Sequence, residues 1–265
     1  MSFARAADGA RIRFETVGAG PPLVLLAGQA NSARWWDPIC VDFAAGHRTV
    51  AIDTLGTGGS DAPPGAEYST RRFAGDVVAV LDELGIESAH VYGTSMGGKV
   101  AQRLAVDHPD RVGAVVLGCT TAGGVHGMVA DPAVLRPLAG PAPAADAALA
   151  ALMFSREWRR DHPGPYAVLG DPAMTSQARR GHRRASAAHD AWDVVPGVRA
   201  PTLVVHGSAD EFCPPANAGL LAGRIPGSEL LVLDGARHAY FEEFRAVASP
   251  AVIAFLDRHP LPAEP

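Results

Sequence analysis

The residues that could do chemistry begin in the stretch "HVYGTSMGGKVAQRLA", His90 to Ala105. Gly93 to Lys99 spells G-x-x-x-x-G-K, and the same segment spells G-x-S-x-G around Ser95. The first pattern would cradle a nucleotide phosphate, the second would present a nucleophilic hydroxyl. A phosphate loop needs a Ser or Thr after its lysine to hold magnesium, and here that position is Val100. A serine elbow needs a strand before it, a helix after it, and small residues two positions either side, where backbone passes close. "AHVYG" is a strand pattern, "GGKVAQRLA" a helix pattern, and Gly93 and Gly97 are the small residues. A hydroxyl becomes a nucleophile only with a base to take its proton and an acid to orient that base. "TLVVHGSADEFCPP" places Asp210 just past an apolar run, and "LLVLDGARHAYFEEF" places His238 just past the next one. Ser95, Asp210 and His238 therefore each follow a strand pattern, in an order suited to acyl transfer. In such chemistry Ser95 attacks, His238 moves the proton and Asp210 stabilises the imidazolium.

The elements that must hold these residues follow from the apolar pattern. "PLVLLAG" (22–28), "HRTVAID" (47–53), "SAHVYGT" (88–94), "DRVGAVVLGCT" (110–120), "APTLVVHG" (200–207) and "SELLVLDG" (228–235) are short apolar runs of the kind buried on both faces of a parallel sheet. "ARIRFETVG" (10–18) alternates like an early half-buried strand. Between the runs lie helical segments: 32–46 with a break at Pro38, 69–85, 96–109, one near 215–224, and a last one from about 240 to 257. The alternation is that of an α/β sheet covered by helices. From Thr120 to about 194 it stops, and short helical patterns with Pro and Gly joints replace it. We expect a core of residues 1–120 and 195–265, interrupted by a helical insertion at 121–194. Within the insertion, "RRGHRRAS" (179–186) is a basic cluster that reads as a solvated helix face.

Composition excludes several other classes. The chain has 265 residues, 48% hydrophobic and 19% charged, with a formal net charge of -5. A mildly acidic surface speaks against a nucleic-acid partner. Cys40, Cys119 and Cys213 are too scattered for a disulfide framework or a zinc site. The N-terminal segment has no apolar signal region, and no apolar run reaches bilayer length, so a cytoplasmic protein without a membrane contact is expected.

Four segments together carry a resemblance to the α/β-hydrolase superfamily that spans nearly the whole chain. They are "DTLGTGGSD" (53–61), "GTSMGGKVAQRLAVDHPDRVGAVVL" (93–117), "PTLVVHGSADEFCPP" and "GARHAYFEE". Within the superfamily the chain is similar to 3-oxoadipate enol-lactonase-like and cofactor-free esterase or perhydrolase-like members. The resemblance implies a cap at the 121–194 insertion, a structural role for Asp53, and an oxyanion hole from the backbone N–H groups of Gln29 and Met96. It also disfavours dehalogenation and epoxide hydrolysis, which relatives perform with Asp where this chain has Ser95. One position departs from the family, which often has His before the glycine of the oxyanion loop, where this chain has Ala27-Gly28.

The activity implied is hydrolysis of an ester, lactone or enol-lactone of a small to medium, partly apolar molecule, with no metal or cofactor. The same residues could also serve C–C bond hydrolysis, perhydrolysis, or an elimination or cyclisation in a biosynthetic pathway, and a ligand-binding receptor or scaffold of the same fold would turn over little. Trp35 after the oxyanion loop, and Met128, Phe154, Trp158 and Trp192 in the insertion, are the candidates to face the substrate. His206 in "VVHG" reads as structural, and Glu242 and Glu243 as N-terminal residues of the last helix.

Overall fold

The computed structural model describes residues 2–261 and contains one eight-stranded sheet. Its strands are β1 (Ser2–Arg5), β2 (Arg11–Val17), β3 (Pro22–Leu26), β4 (Arg48–Ile52), β5 (Ala89–Thr94), β6 (Val112–Gly118), β7 (Thr202–Gly207) and β8 (Glu229–Leu233). They lie in the order β1-β2-β4-β3-β5-β6-β7-β8. The first two pairings, β1 with β2 and β2 with β4, are antiparallel, and all the others are parallel. The central strands β3, β5, β6 and β7 are buried almost throughout, which is why they read as unbroken apolar runs. β1 is an edge strand of four residues and gave no such run.

The helices are α1 (Cys40–Ala44), α2 (Thr70–Glu83), α3 (Met96–Asp107), α4 (Pro132–Leu135), α5 (Ala144–Met153), α6 (Arg156–Asp161), α7 (Ser176–Ala187), α8 (Ala216–Arg224), α9 (Tyr240–Glu243) and α10 (Arg245–Asp257). The expected helix over 32–46 is two short pieces, a 3-10 turn at Ala33–Trp36 and α1. The final helix is likewise divided at Phe244. α2 shows how local sequence sets an element. The Ser69 side chain accepts from the Arg72 N–H at its start (3.0 Å), Phe73, Val77, Val80 and Leu81 form its buried stripe, and Gly85 takes a positive φ of 65° beyond its end. The sheet separates two apolar clusters. One packs α2, α3 and α8 on one face, and the other packs Trp35, Trp36, Phe43 and α10 on the opposite face.

β3 lies between β4 and β5, so the chain winds away from it in both directions. The loops after β3 and β5 therefore part at a crevice at the strands' C-terminal ends, the place where open α/β sheets bind ligands. The register pairs Leu26 with Gly93, which puts Gly28–Gln29 beside the turn at Ser95. Between β6 and β7 lie α4 to α7, and the one β feature recorded there is an isolated bridge between Gly123 and Asp190. Among the described residues, no helix is long and apolar enough to cross a membrane.

Candidate active site

Ser95 caps α3 at the end of β5 with φ 55° and ψ −120°, a strained conformation for a residue with a side chain. Its N–H donates to the Gly118 carbonyl (2.8 Å), and its carbonyl accepts from Thr120 Oγ1 (2.7 Å) and from Gly98 N (3.1 Å). The glycines of G-x-S-x-G are needed for space. A Cβ on Gly93 would collide with the Gly97 carbonyl, and one on Gly97 with the Leu26 carbonyl. Met96 is the first residue of α3, so its N–H belongs to the helix turn that has no internal acceptor.

Lys99, the lysine of the rejected phosphate-loop pattern, donates to the Ser186 carbonyl (2.9 Å) and hydroxyl (3.1 Å). It straps α3 to α7, and burial lowers its pKa.

Asp210 and His238 meet beyond the ends of β7 and β8. His238 Nδ1–H donates to Asp210 Oδ2 (2.7 Å), and both side chains are buried. Asp210 Oδ1 accepts from the N–H groups of Phe212 (2.9 Å) and Cys213 (2.8 Å), which fixes the carboxylate in its own turn. A second histidine stands close, with His206 Nε2 3.4 Å from Asp210 Oδ2 while donating to the Cys213 carbonyl at 2.8 Å. Burial opposes the charge on Asp210, but His238 and His206 outweigh it and hold the carboxyl well below the ordinary range. An ionised Asp210 can only accept, so the His238 proton sits on Nδ1 and Nε2 carries the lone pair. That Nε2 is buried and has no hydrogen-bond partner among the described residues. Phe212 packs edge-on against the imidazole, with centroids 4.9 Å apart.

Ser95 and His238 line one cavity of about 370 Å³, together with Gln29, Trp35 and apolar side chains that include Leu149, Met153 and Val168. A wider groove of about 810 Å³ between β1 and α2 contains no serine, cysteine or histidine. The cavity brings together a hydroxyl on a strained turn, an imidazole nitrogen with a free lone pair, and two loops that carry backbone donors. Those are the components of nucleophilic acyl transfer.

The loop after β3 is held by the insertion. The Ala30 N–H donates to His182 Nδ1 (3.3 Å), and His182 Nε2–H donates to the Leu55 carbonyl (2.8 Å). Burial lowers the His182 pKa to about 4, so it stays neutral. Asp171 N donates to the Ala30 carbonyl (2.8 Å), Gly170 N to Asn31 Oδ1 (2.8 Å), and Asn31 Nδ2 to the Gln29 carbonyl (2.9 Å). Ala27 leaves the loop without a family histidine inside it, and His182 from α7 supplies an imidazole from outside. Trp35 covers Gly28, where any Cβ would strike its ring, and its Nε1–H donates to Thr94 Oγ1 (2.9 Å) beside the serine.

Of the residues expected to face a substrate, Trp35 lines the cavity, and Met128, Phe154, Trp158 and Trp192 do not. Met128 is 51% exposed and is tied through its backbone to Asn217. Phe154 and Trp158 stack on each other at 4.2 Å and form packing with Tyr166. Trp192 stacks on His126 and lies under the Arg224 guanidinium. Met153 and Val168, which stand at the same cavity, carried no local signal, because their orientation is set by how the inserted helices pack. The basic cluster also divides differently from its expectation. Arg180, Arg183 and Arg184 are exposed, Arg179 is half-buried and His182 is buried, and Arg179 and Arg183 also line the cavity.

Asp53, the other acid near the sheet's end, accepts from Arg13 Nη1 (2.8 Å), Ala33 N (2.7 Å) and Gly59 N (2.9 Å). These contacts tie the end of β4 to β2 and to the segments at Ala33 and Gly59.

The family model for the alpha/beta hydrolase fold matches residues 21–157. Est816, an N-acyl homoserine lactone degrading enzyme, superposes with a TM-score of 0.84 at 30% identity, covering 96% of this chain and 100% of that one. The enol-lactonase from Burkholderia xenovorans LB400 superposes with a TM-score of 0.81 at 26% identity, covering 97% and 100%. The pimeloyl-(acyl-carrier protein) methyl ester esterase of Aeromonas hydrophila is 28% identical over 87% of this chain and 93% of its own.

Proposed function

The chain belongs to the alpha/beta hydrolase fold family and is a hydrolase-family enzyme, and we propose that it cleaves an ester or lactone bond through Ser95, His238 and Asp210. The observation that carries this is the free Nε2 of His238, on an imidazole oriented by Asp210 at 2.7 Å and lining the cavity that Ser95 lines. Relatives that act on a methyl ester and on lactones support the same bond class.

In this mechanism Ser95 Oγ attacks the acyl carbon while His238 Nε2 takes its proton. The N–H groups of Met96 and Gln29 receive the oxyanion of the tetrahedral intermediate, and one such donor contributes about 3 kcal/mol in other enzymes. His238 returns the proton to the leaving oxygen, and the acyl group stays on Ser95. A water molecule, deprotonated by His238, then attacks the acyl-enzyme; the bond to Ser95 Oγ breaks, His238 returns the proton to Oγ, and the acid is released. Asp210, ionised throughout, stabilises the imidazolium at each stage. The helices between β6 and β7 act as the cap that bounds the acyl pocket. None of these steps requires a metal ion or organic cofactor.

A fluorophosphonate probe tests the assignment directly. The expected result is one covalent adduct, mapped to Ser95 and absent from Ser95→Ala. An active enzyme whose adduct maps elsewhere would remove Ser95 from the mechanism.

A further inference from the structure

The cavity that Ser95 lines is cationic on one wall. Arg179 and Arg183 stand four residues apart on α7, the spacing that puts two side chains on one helix face, and both line it. No Asp or Glu lines this cavity. None of the ion pairs among the described residues includes either arginine. The acid nearest to Arg179 in sequence, Asp171, is already used, since one of its oxygens accepts from Gly58 N and the other from Ala173 N.

Arg179 is half-buried and anchored rather than free. One Nη donates to the Asp171 carbonyl, and the guanidinium lies over Gly170, where a Cβ would sit 3.4 Å from its Nη1. Gly170 is in turn bonded to Asn31 of the loop after β3. A guanidinium has five N–H donors in a planar fork that matches a carboxylate or phosphate. The contact to Asp171 uses one of them, and the apolar walls of the cavity strengthen any charge pairing made inside it. Arg183 is exposed, one helical turn further along.

We infer that the site takes an acyl substrate bearing an anionic group, a carboxylate in the first instance, held by Arg179 with Arg183 beside it. The inference rests on the hydrolase reading above for the word substrate, while anion binding itself does not depend on it. A neutral ester would leave the cationic wall unmatched, whereas an ester or lactone with a carboxylate would place the bond to be cleaved and its charge in one cavity. Charge selection, rather than the size of the acyl chain alone, then sets specificity.

The test is equilibrium binding, by calorimetry at pH 7.5, of 4-phenylbutyrate and its uncharged amide 4-phenylbutanamide. Wild type is expected to bind the carboxylate about tenfold or more tightly than the amide. That ratio is expected to fall below about threefold in Arg179→Gln and to shrink in Arg183→Gln, an exposed position with no internal bond to lose. Equal binding of the two probes by wild type, or an undiminished ratio in both variants, overturns the inference. Ester turnover by Ser95→Ala, measured alongside, separates the two ideas. Turnover lost in Ser95→Ala with no carboxylate preference sinks the anion site alone. Turnover kept in Ser95→Ala with an arginine-dependent preference sinks the serine mechanism alone.

Discussion

His238 donates from Nδ1 to Asp210 Oδ2 at 2.7 Å, with both side chains buried. The two residues come from loops after neighbouring parallel strands, β7 and β8, so the contact is made by the sheet and not by local sequence. It fixes which imidazole nitrogen carries the lone pair, and Ser95 lines the same cavity as His238.

Asp210 and Asp53 are both buried acids near the strand ends, and they should fail differently. Asp210→Asn is expected to fold, since an amide oxygen can still accept from Phe212 and Cys213, and to lower kcat by about a thousandfold to ten-thousandfold. Asp53→Asn is expected to destabilise the protein by about 3 kcal/mol, because Arg13 would lose its buried partner, while turnover per folded molecule stays within about tenfold. Denaturant melts and kcat on the same preparations check this. The reverse pattern would make Asp53 the acid.

His182 should matter to catalysis without touching substrate. It receives the Ala30 N–H and donates to the Leu55 carbonyl, so His182→Phe leaves two backbone groups without their partner. The expected cost is about 1–3 kcal/mol of stability. A fall of about tenfold in kcat with KM little changed would accompany it, because the Gln29 N–H, the oxyanion donor we propose, loses its position. The pH profile should keep its shape, since His182 is neutral across the working range. Unchanged kcat in a destabilised variant would make His182 structural only.

Glu242 gives the protein a stability that depends on pH. Burial pushes its carboxyl from an ordinary 4.5 up to about 7, with His162 pulling the other way, and its Oε2 has no partner among the described residues. A carboxyl raised on folding costs nothing below pH 4.5 and destabilises increasingly as pH rises through about 7. Glu242→Gln is therefore expected to match wild type near pH 4.5 and to exceed it at pH 8. With solvent screening of a partly exposed group included, the gain is about 1 kcal/mol, or about 2–4 °C in Tm. Melting curves at the two pH values are sufficient. A gain at the low pH instead would contradict the sign.

Legibility followed burial. The central strands were readable because both faces are covered and every position is apolar, as in "PLVLLAG" and "TLVVHG". β1 was not, because four edge residues with one buried side carry too little pattern. The serine turn was readable because steric need at Gly93 and Gly97 leaves a sequence trace. The insertion was legible as helices but not as a cavity wall. Phe154 and Trp158 look like ligand contacts by type and prove to stack on each other, while Arg179 looks solvated and faces the cavity. Which face of a short helix turns inward is decided by what it packs against, and Lys99 reaching Ser186 and Ala30 reaching His182 are long-range contacts with no local signature.

The most direct test of the account is hydrolysis of a short acyl-chain series of p-nitrophenyl esters by wild type and Ser95→Ala in parallel. The account predicts turnover by wild type, with a chain-length optimum set by a cavity of about 370 Å³, and a loss of at least a thousandfold in kcat in a Ser95→Ala protein that melts as wild type does. A folded Ser95→Ala variant that hydrolyses the series as fast as wild type would contradict it.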